Sequence, residues 1–451
     1  MRIRELLITA ALLLALPVAT LRAAESCHVG IYRLDDGWAI DIAPSKEDWL
    51  RWRMIDGTIG LLKPAADGQW DSSLGWTDRP DGKRASFGDC AAGTIVFDGH
   101  RGVRAALETR DVTFRSGEVE LAGRLVMPTG EAPVPIIVLV HGSEDTSARE
   151  NFTQQRMFPA QGVGAFVYDK RGTGASGGKY THDYPTLAAD AAAAANEARR
   201  LAGTRAGRIG FHGTSQGGWV GPLAATLTHV DFVVVSYGLA VSPIQEDREC
   251  VALDMSRHGF GAEETRKALE VAHAAELVAA SNFQNNYEKL DEMRAKYSPE
   301  PWFKYVRGNI TGVIYSMPPA ELRVKGPVFF AGGMPYYDPM PVLRKLDTPQ
   351  LWILGAEDID APPAETLRRL RGLQADGKPI SMIVYPGAEH GMYEFEMAAN
   401  EERISTRQPR TYLQLVMEFA SKGTIGARYD KAIVFPFHPK SPRPIRPSAG
   451  Q

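Results

Sequence analysis

Cysteine is scarce: three in 451 residues, at 27, 90 and 250, none at a metal-ligand spacing with histidine. No metal site and no more than one internal disulfide are expected. A charge excess of one sign is also missing, with 51 Lys and Arg against 54 Asp and Glu and a formal net charge of −3. A chain so balanced has no global basic field, so nucleic acid is not an expected partner. Beyond residue 21 no apolar run is long enough to cross a bilayer, so no stable membrane span is expected after that point. No internal repeat is present.

The first apolar run reads as an address. Arg2 and Arg4 precede Leu6 to Leu21, and the small residues Ala23 and Ala24 follow, which is the order of a secretory signal peptide. Residues 1–24 are therefore read as a signal peptide and the protein as exported, to a periplasm or the exterior. The charged Glu25 before Ser26-Cys27 argues against lipidation at Cys27. Export permits a disulfide. Cys27 and Cys90 bracket what reads as one small domain, so a bridge between them is set against the alternative of three free thiols.

From 25 to 108 the chain carries short β-leaning runs (Gly30 to Arg33, Trp38 to Ile42, Thr58 to Leu62, Thr94 to Phe97) separated by turn pairs. Those pairs are Asp36-Gly37, Asp56-Gly57, Asp67-Gly68, Asp81-Gly82 and Asp98-Gly99, and Asp-Gly supplies the positive φ that tight hairpins need. This predicts a small all-β accessory domain, sandwich or barrel. Over 109–241 and 346–425 strands alternate with helices, and Pro135 to Val140 and Gly164 to Tyr168 are continuously apolar. The alternation implies a mostly parallel sheet covered on both faces. Between 242 and 345 the periodicity is helical, with no strand, which predicts a cap inserted between two sheet strands near the ligand crevice. Residues 435–451 are Pro-rich and are expected to be disordered.

The strongest chemical signal is Gly213-Thr214-Ser215-Gln216-Gly217, after the strand Arg208 to His212 and before a helix. Strand, tight turn and helix push a serine Oγ clear of the backbone, and the helix start offers N–H groups to developing negative charge. Ser215 is therefore the expected nucleophile, and the N–H of Gln216 an expected oxyanion donor. In such an arrangement the chain order is Ser, acid, His. The histidines after Ser215 are His229, His258, His273, His390 and His438. His390 alone follows a late strand in a glycine-bounded turn, so it is the expected general base. Asp358, Glu357 and Asp360 all lie in the turn after the strand Leu351 to Leu354. Asp169-Lys170-Arg171-Gly172 lacks the ending of a phosphate loop and reads as a structural turn, with Arg171 a possible lining residue.

These stretches, with Val140-His141-Gly142-Ser143, Asp338-Pro339, Gly355-Ala356-Glu357-Asp358 and Pro386-Gly387-Ala388-Glu389-His390-Gly391, give Asp111 to Gly423 a resemblance to the α/β-hydrolase superfamily. It is nearest to bacterial exported members beside the dienelactone hydrolases and the serine aminopeptidase-like group. The resemblance implies an α/β-hydrolase sheet with helices on both faces and a cap. It also implies Asp358 as the triad acid, on the Gly-x-x-Asp spacing, and the Ser143 N–H as the second oxyanion donor. Relatives continue with Gly-Pro after that serine; here Glu144-Asp145 follows.

The expected function is cleavage of a carboxylic ester or related acyl bond by Ser215, His390 and Asp358 through an acyl-enzyme, with no cofactor. The expected partner is a small-molecule ester or a short peptide; nothing bears on oligomeric state. One alternative is an aminopeptidase or acyl-peptidase, for which Glu246-Asp247 and Glu263-Glu264 are the available acidic pairs. Another is a binding protein that keeps the fold without turnover. The insertion aromatics (Phe260, Phe283, Tyr287, Trp302, Phe303, Tyr305, Tyr315), with Met255, are read as helix-packing core more readily than as pocket lining.

Overall fold

The computed structural model describes residues 27–438. The signal-peptide reading of 1–24 and most of the tail, 439–451, lie outside the described residues. Residues Gly30–Leu34 through His100–Arg104 form a closed, antiparallel eight-stranded barrel. Its interior is filled by Tyr32, Ile40, Ile42, Trp52, Leu62, Ile95 and Phe97, the alternate positions of their strands. Four of the five Asp-Gly pairs are hairpin turns; at the tightest, Asp98 and Gly99 have φ of 51° and 84°. Asp81-Gly82 instead lies inside the strand Pro80–Phe87, because the turn falls earlier, at 75–79. Cys27 and Cys90 are disulfide-bonded, with Cα atoms 5.5 Å apart, and Cys250 is free and buried.

Beyond the barrel lie a nine-stranded sheet and a small two-stranded one, Glu394–Met397 with Arg403–Arg407. The nine-stranded sheet carries the site. Its six central strands are parallel, in the order Ile380–Tyr385, Gln350–Gly355, Phe232–Ser236, Ala206–Thr214, Val134–Val140, Gly164–Tyr168. Two antiparallel strands, Val119–Pro128 and Leu107–Ser116, complete one edge. Ile433–Phe435 completes the other, pairing Phe435 with Met382, so the expected disorder does not begin at 435. The continuous apolar runs have a simple cause. In Val134–Val140, Ile136, Val138 and Val140 enter the core under the helix Tyr184–Ala202, whereas Ile137 and Leu139 enter the core under the helix Tyr412–Lys422. Both faces are covered, so neither can be polar.

The chain leaves the sheet after Ser236 and returns at Gln350. Between them lie the helices Pro243–Arg257, Ala262–Ala280, Tyr287–Tyr297, Thr311–Ser316, Pro319–Phe329 and Met340–Lys345, the first five built around a core of their own. Met255, Phe283, Tyr287 and Trp302 are buried in that core, and Phe260, Phe303 and Tyr315 pack against it. No helix of the described residues is long and apolar enough to cross a membrane. Strand order reverses at Val134–Val140, whose neighbours are Gly164–Tyr168 on one side and Ala206–Thr214 on the other. The carboxyl ends at this reversal are where an open α/β sheet binds ligands.

Candidate active site

Ser215 sits where the strand Ala206–Thr214 turns into the helix Gly217–Ala224, with a φ of 51° that side-chain-bearing residues seldom adopt. The turn is so tight that a Cβ on Gly213 would come within 2.2 Å of the Gly217 carbonyl oxygen. A Cβ on Gly217 would meet the Val140 oxygen at the same distance. Only glycine permits these approaches.

The structure brings Ser215, His390 and Asp358 together from three strand ends. Ser215 Oγ lies 3.1 Å from His390 Nε2, and His390 Nδ1 lies 3.0 and 3.2 Å from the two Asp358 oxygens. Asp358 Oδ1 also accepts the N–H groups of Asp360 and Ala361, which fixes the carboxylate's direction. Burial disfavours the His390 imidazolium, but the hydrogen bond and charge of Asp358, with Asp360 and Glu144 behind it, raise its pKa above the ordinary value. The ring of Tyr237 stands edge-on to the imidazole at 4.9 Å. Glu357 is exposed and does not line the cavity; Asp360 is exposed and lines it. Glu389 is held 3.5 Å from Arg403, with its side chain only 15% exposed.

The other histidines after Ser215 do not approach. His229 is exposed, His258 stacks on Tyr305, His273 lies 3.2 Å from Glu276, and His438 is at the surface. His141 is buried against Phe152 and Tyr168. Its Nδ1 is 3.8 Å from Glu144, beyond hydrogen-bond reach, and burial lowers its pKa.

Gln216 and Ser143 both line the cavity beside Ser215, and among the described residues no acceptor takes either backbone N–H. The loop carrying Ser143 passes very close to the nucleophile: a Cβ on Gly142 would lie 3.2 Å from Ser215 Cβ. Two residues of the Asp169–Gly172 turn behave differently from the sequence reading. Arg171 is turned away, in a two-point pair with Asp190, and does not line the site. Lys170, 3% exposed, points inward and donates to the carbonyls of Gly142 and Glu144. Tyr180 and His182 also face the cavity. The Tyr180 hydroxyl donates to the Ser143 carbonyl, and His182 Nδ1 is 2.6 Å from Gln216 Nε2. Burial, reinforced by Lys170, pushes His182 down to about 4. No motif marks these residues, since a lone Lys, Tyr or His carries no local signature.

The cleft encloses about 1780 Å³ and is bounded by the sheet, the cap and, from the barrel, Arg53. Its apolar wall comes from Met317, Val324, Val328, Phe329 and Phe330, none of them among the insertion aromatics singled out in the sequence. Val324 and Val328 are each 72% exposed, so this face of the helix Pro319–Phe329 is not packed into the cap core. Of the acidic pairs, Asp247 is consumed by Ile310, Thr311 and the Thr311 hydroxyl, and Glu264 by the Gly261 N–H. Glu263 is paired with Arg266. Glu246 does line the cleft, bonded by Asn309. Burial and then repulsion by Asp247 and Asp358 push its carboxyl well above the usual range.

A family model described as X-Pro dipeptidyl-peptidase (S15 family) matches residues 116–334, and one described as prolyl oligopeptidase family matches 332–406. No curated protein matches the sequence. Among solved structures, an esterase from Pyrococcus furiosus is similar at 15% identity and a TM-score of 0.42, over 70% of this chain and 89% of that one. A thermophilic esterase from Thermogutta terrifontis is similar at 22% identity and 0.40, over 70% and 99%. An acylaminoacyl peptidase from Pyrococcus horikoshii is similar at 15% and 0.43, over 84% of this chain but 55% of that one.

Proposed function

We propose that this chain, a serine hydrolase of the peptidase and esterase kind on an α/β-hydrolase sheet, cleaves carboxylic esters through an acyl-enzyme. The observation that carries the reading is the continuous path from Ser215 Oγ through His390 to the buried Asp358 carboxylate. His390 takes the Ser215 proton as Oγ attacks the carbonyl carbon, and Asp358 holds the imidazole tautomer and stabilises the imidazolium. The Gln216 and Ser143 N–H groups stabilise the oxyanion. His390 then protonates the leaving group, and water, deprotonated by the same imidazole, releases the acid. An apolar acyl or alcohol portion would lie along Met317, Val324, Val328 and Phe329. Because the Cys27–Cys90 bridge needs an oxidising compartment to persist, it supports the reading of an exported protein.

The test is labelling by a fluorophosphonate and turnover of p-nitrophenyl esters, with Ser215→Ala as control. Labelling and turnover should both vanish in the variant, by roughly 10⁴- to 10⁶-fold in kcat. Folded wild-type protein that does not label would favour a binding role instead. One observation favours a second reading, an aminopeptidase: Glu246 and Asp360 share the cleft wall, where a substrate α-ammonium would relieve their crowding. Aminoacyl anilides hydrolysed in preference to esters would select it.

A further inference from the structure

Within the serine-hydrolase reading just given, one buried cation has no part yet. Lys170 Nζ lies 2.5 Å from the Gly142 oxygen, 3.3 Å from the Glu144 oxygen and 3.4 Å from Gln216 Oε1. The ring of Tyr180 covers it, 5.2 Å from centroid to Nζ. Burying an ammonium is costly and is tolerated only where hydrogen bonds and charges answer it. Here most of the answering groups are backbone carbonyls of a single loop.

The Gly142 carbonyl and the Ser143 N–H belong to the same peptide unit. No peptide bond of the described residues is cis, so the two point in opposite directions. A cation that grips the C=O from one side therefore aims the N–H to the other side. That grip also draws electron density toward the oxygen and makes the N–H a stronger donor. The loop passes within van der Waals reach of Ser215 at Gly142. Tyr180, donating to the Ser143 carbonyl, fixes the next peptide in the same way. We infer that Lys170 is a positioning residue for the oxyanion site, orienting and polarising the 142–143 peptide so that its N–H meets the charge that develops on the substrate oxygen.

The charged and titratable groups that face Lys170 are Glu144 and Asp145 on the Ser143 loop, Tyr180 and His182 on the segment leading into the helix Tyr184–Ala202, and His141 at the strand end. Burial lowers the ammonium to about 8 against the pull of Glu144 and Asp145. His182, already neutral well below this, does not titrate alongside it. The grip is therefore lost in an accessible alkaline range.

The experiment compares kcat and KM for p-nitrophenyl acetate in wild type, Lys170→Met and Lys170→Arg, from about pH 6 to 10. Lys170→Met should lose roughly ten- to a hundred-fold in kcat with KM little changed, since an oxyanion donor is engaged only in the transition state. Wild-type kcat should fall as pH rises through about 8, a limb that Lys170→Met lacks and Lys170→Arg, with its permanent charge, carries beyond the range. A folded Lys170→Met enzyme with wild-type kcat would overturn the assignment. If Lys170→Met does not fold, a wild-type kcat that stays flat from about pH 7 to 10 overturns it equally. Turnover that depends on Ser215 but ignores Lys170 sinks this inference alone; turnover that survives Ser215→Ala sinks the hydrolase reading beneath it.

Discussion

His390 must be neutral to accept the Ser215 proton, and its surroundings resist that. Asp358 overcomes the effect of burial and holds the pKa above the ordinary 6.5. Activity should therefore rise as pH climbs through a value higher than that of free imidazole, and the acid limb of kcat/KM reports it. Asp358→Asn removes both the charge and the acceptor that selects the tautomer. A fall of about 10⁴-fold in kcat is expected, with the acid limb of the residual activity moved to lower pH. An unmoved limb would show that another carboxylate governs the imidazole. Glu357, adjacent in sequence, serves as the control: it makes no hydrogen bond to His390 and does not contribute to its shift, so Glu357→Gln should leave the profile unchanged. The difference among Glu357, Asp358 and Asp360 is one of placement. Of the three, Asp358 is the buried one that meets the imidazole, its oxygen also accepting two N–H groups of its own loop.

At the scale of elements, the elbow is the most constrained piece of chain. Gly213→Ala would drive a methyl group into the Gly217 carbonyl, so the strand and helix must part. The expected cost is about 1–3 kcal/mol or more, with loss of turnover. A thermal melt together with ester hydrolysis would check both. The barrel has a different support. The Cys27–Cys90 bridge closes a segment with a sequence separation of 63 and ties the barrel's entry to its sixth inter-strand turn. Cys27→Ser combined with Cys90→Ser should destabilise the barrel by about 2–4 kcal/mol, measured by urea unfolding, with the hydrolase sheet less affected. Strands and hairpins of this barrel were readable wherever Asp-Gly pairs joined apolar runs. Leu50–Met54 and Trp70–Leu74 were not: Asp56-Gly57 follows the first and Asp67-Gly68 precedes the second, but Leu-Arg-Trp-Arg-Met and Trp-Asp-Ser-Ser-Leu interleave charged or polar residues and offer no apolar run.

At the scale of the molecule, the barrel is joined to the sheet rather than tethered beside it. Ile31, Ala39 and Ile55 enter the hydrolase core, and Gly57 accepts the Gln408 N–H. Asp41, fully buried, accepts two hydrogen bonds from Arg156, on the short helix that follows the Ser143 loop. Arg156→Ala would leave that carboxylate buried without its partner, at about 3–5 kcal/mol. Adding Asp41→Asn should restore part of the loss, as seen in denaturant midpoints; no recovery would mean the pair contributes mainly by packing. This joint braces the segment behind the loop proposed to carry the Ser143 oxyanion donor, so the single variant should also lower kcat more than it raises KM.

The sequence determined what short-range physics controls. Periodicity dictated strands buried on both faces, glycines allowed one sharp turn, and a serine in that turn announced its chemistry. The order of Ser, acid and His left five histidines, and only His390 followed a late strand in a glycine-bounded turn. Tertiary structure decided what depends on direction across long separations. It turned Lys170 inward and its neighbour Arg171 outward to Asp190, and it built the cleft wall from Val324, Val328 and Phe329 instead of the larger insertion aromatics, which the cap needed for its own core. Adjacent residues on an extended turn face opposite ways, and which of them meets the site is set by partners far along the chain. No local pattern carries that information.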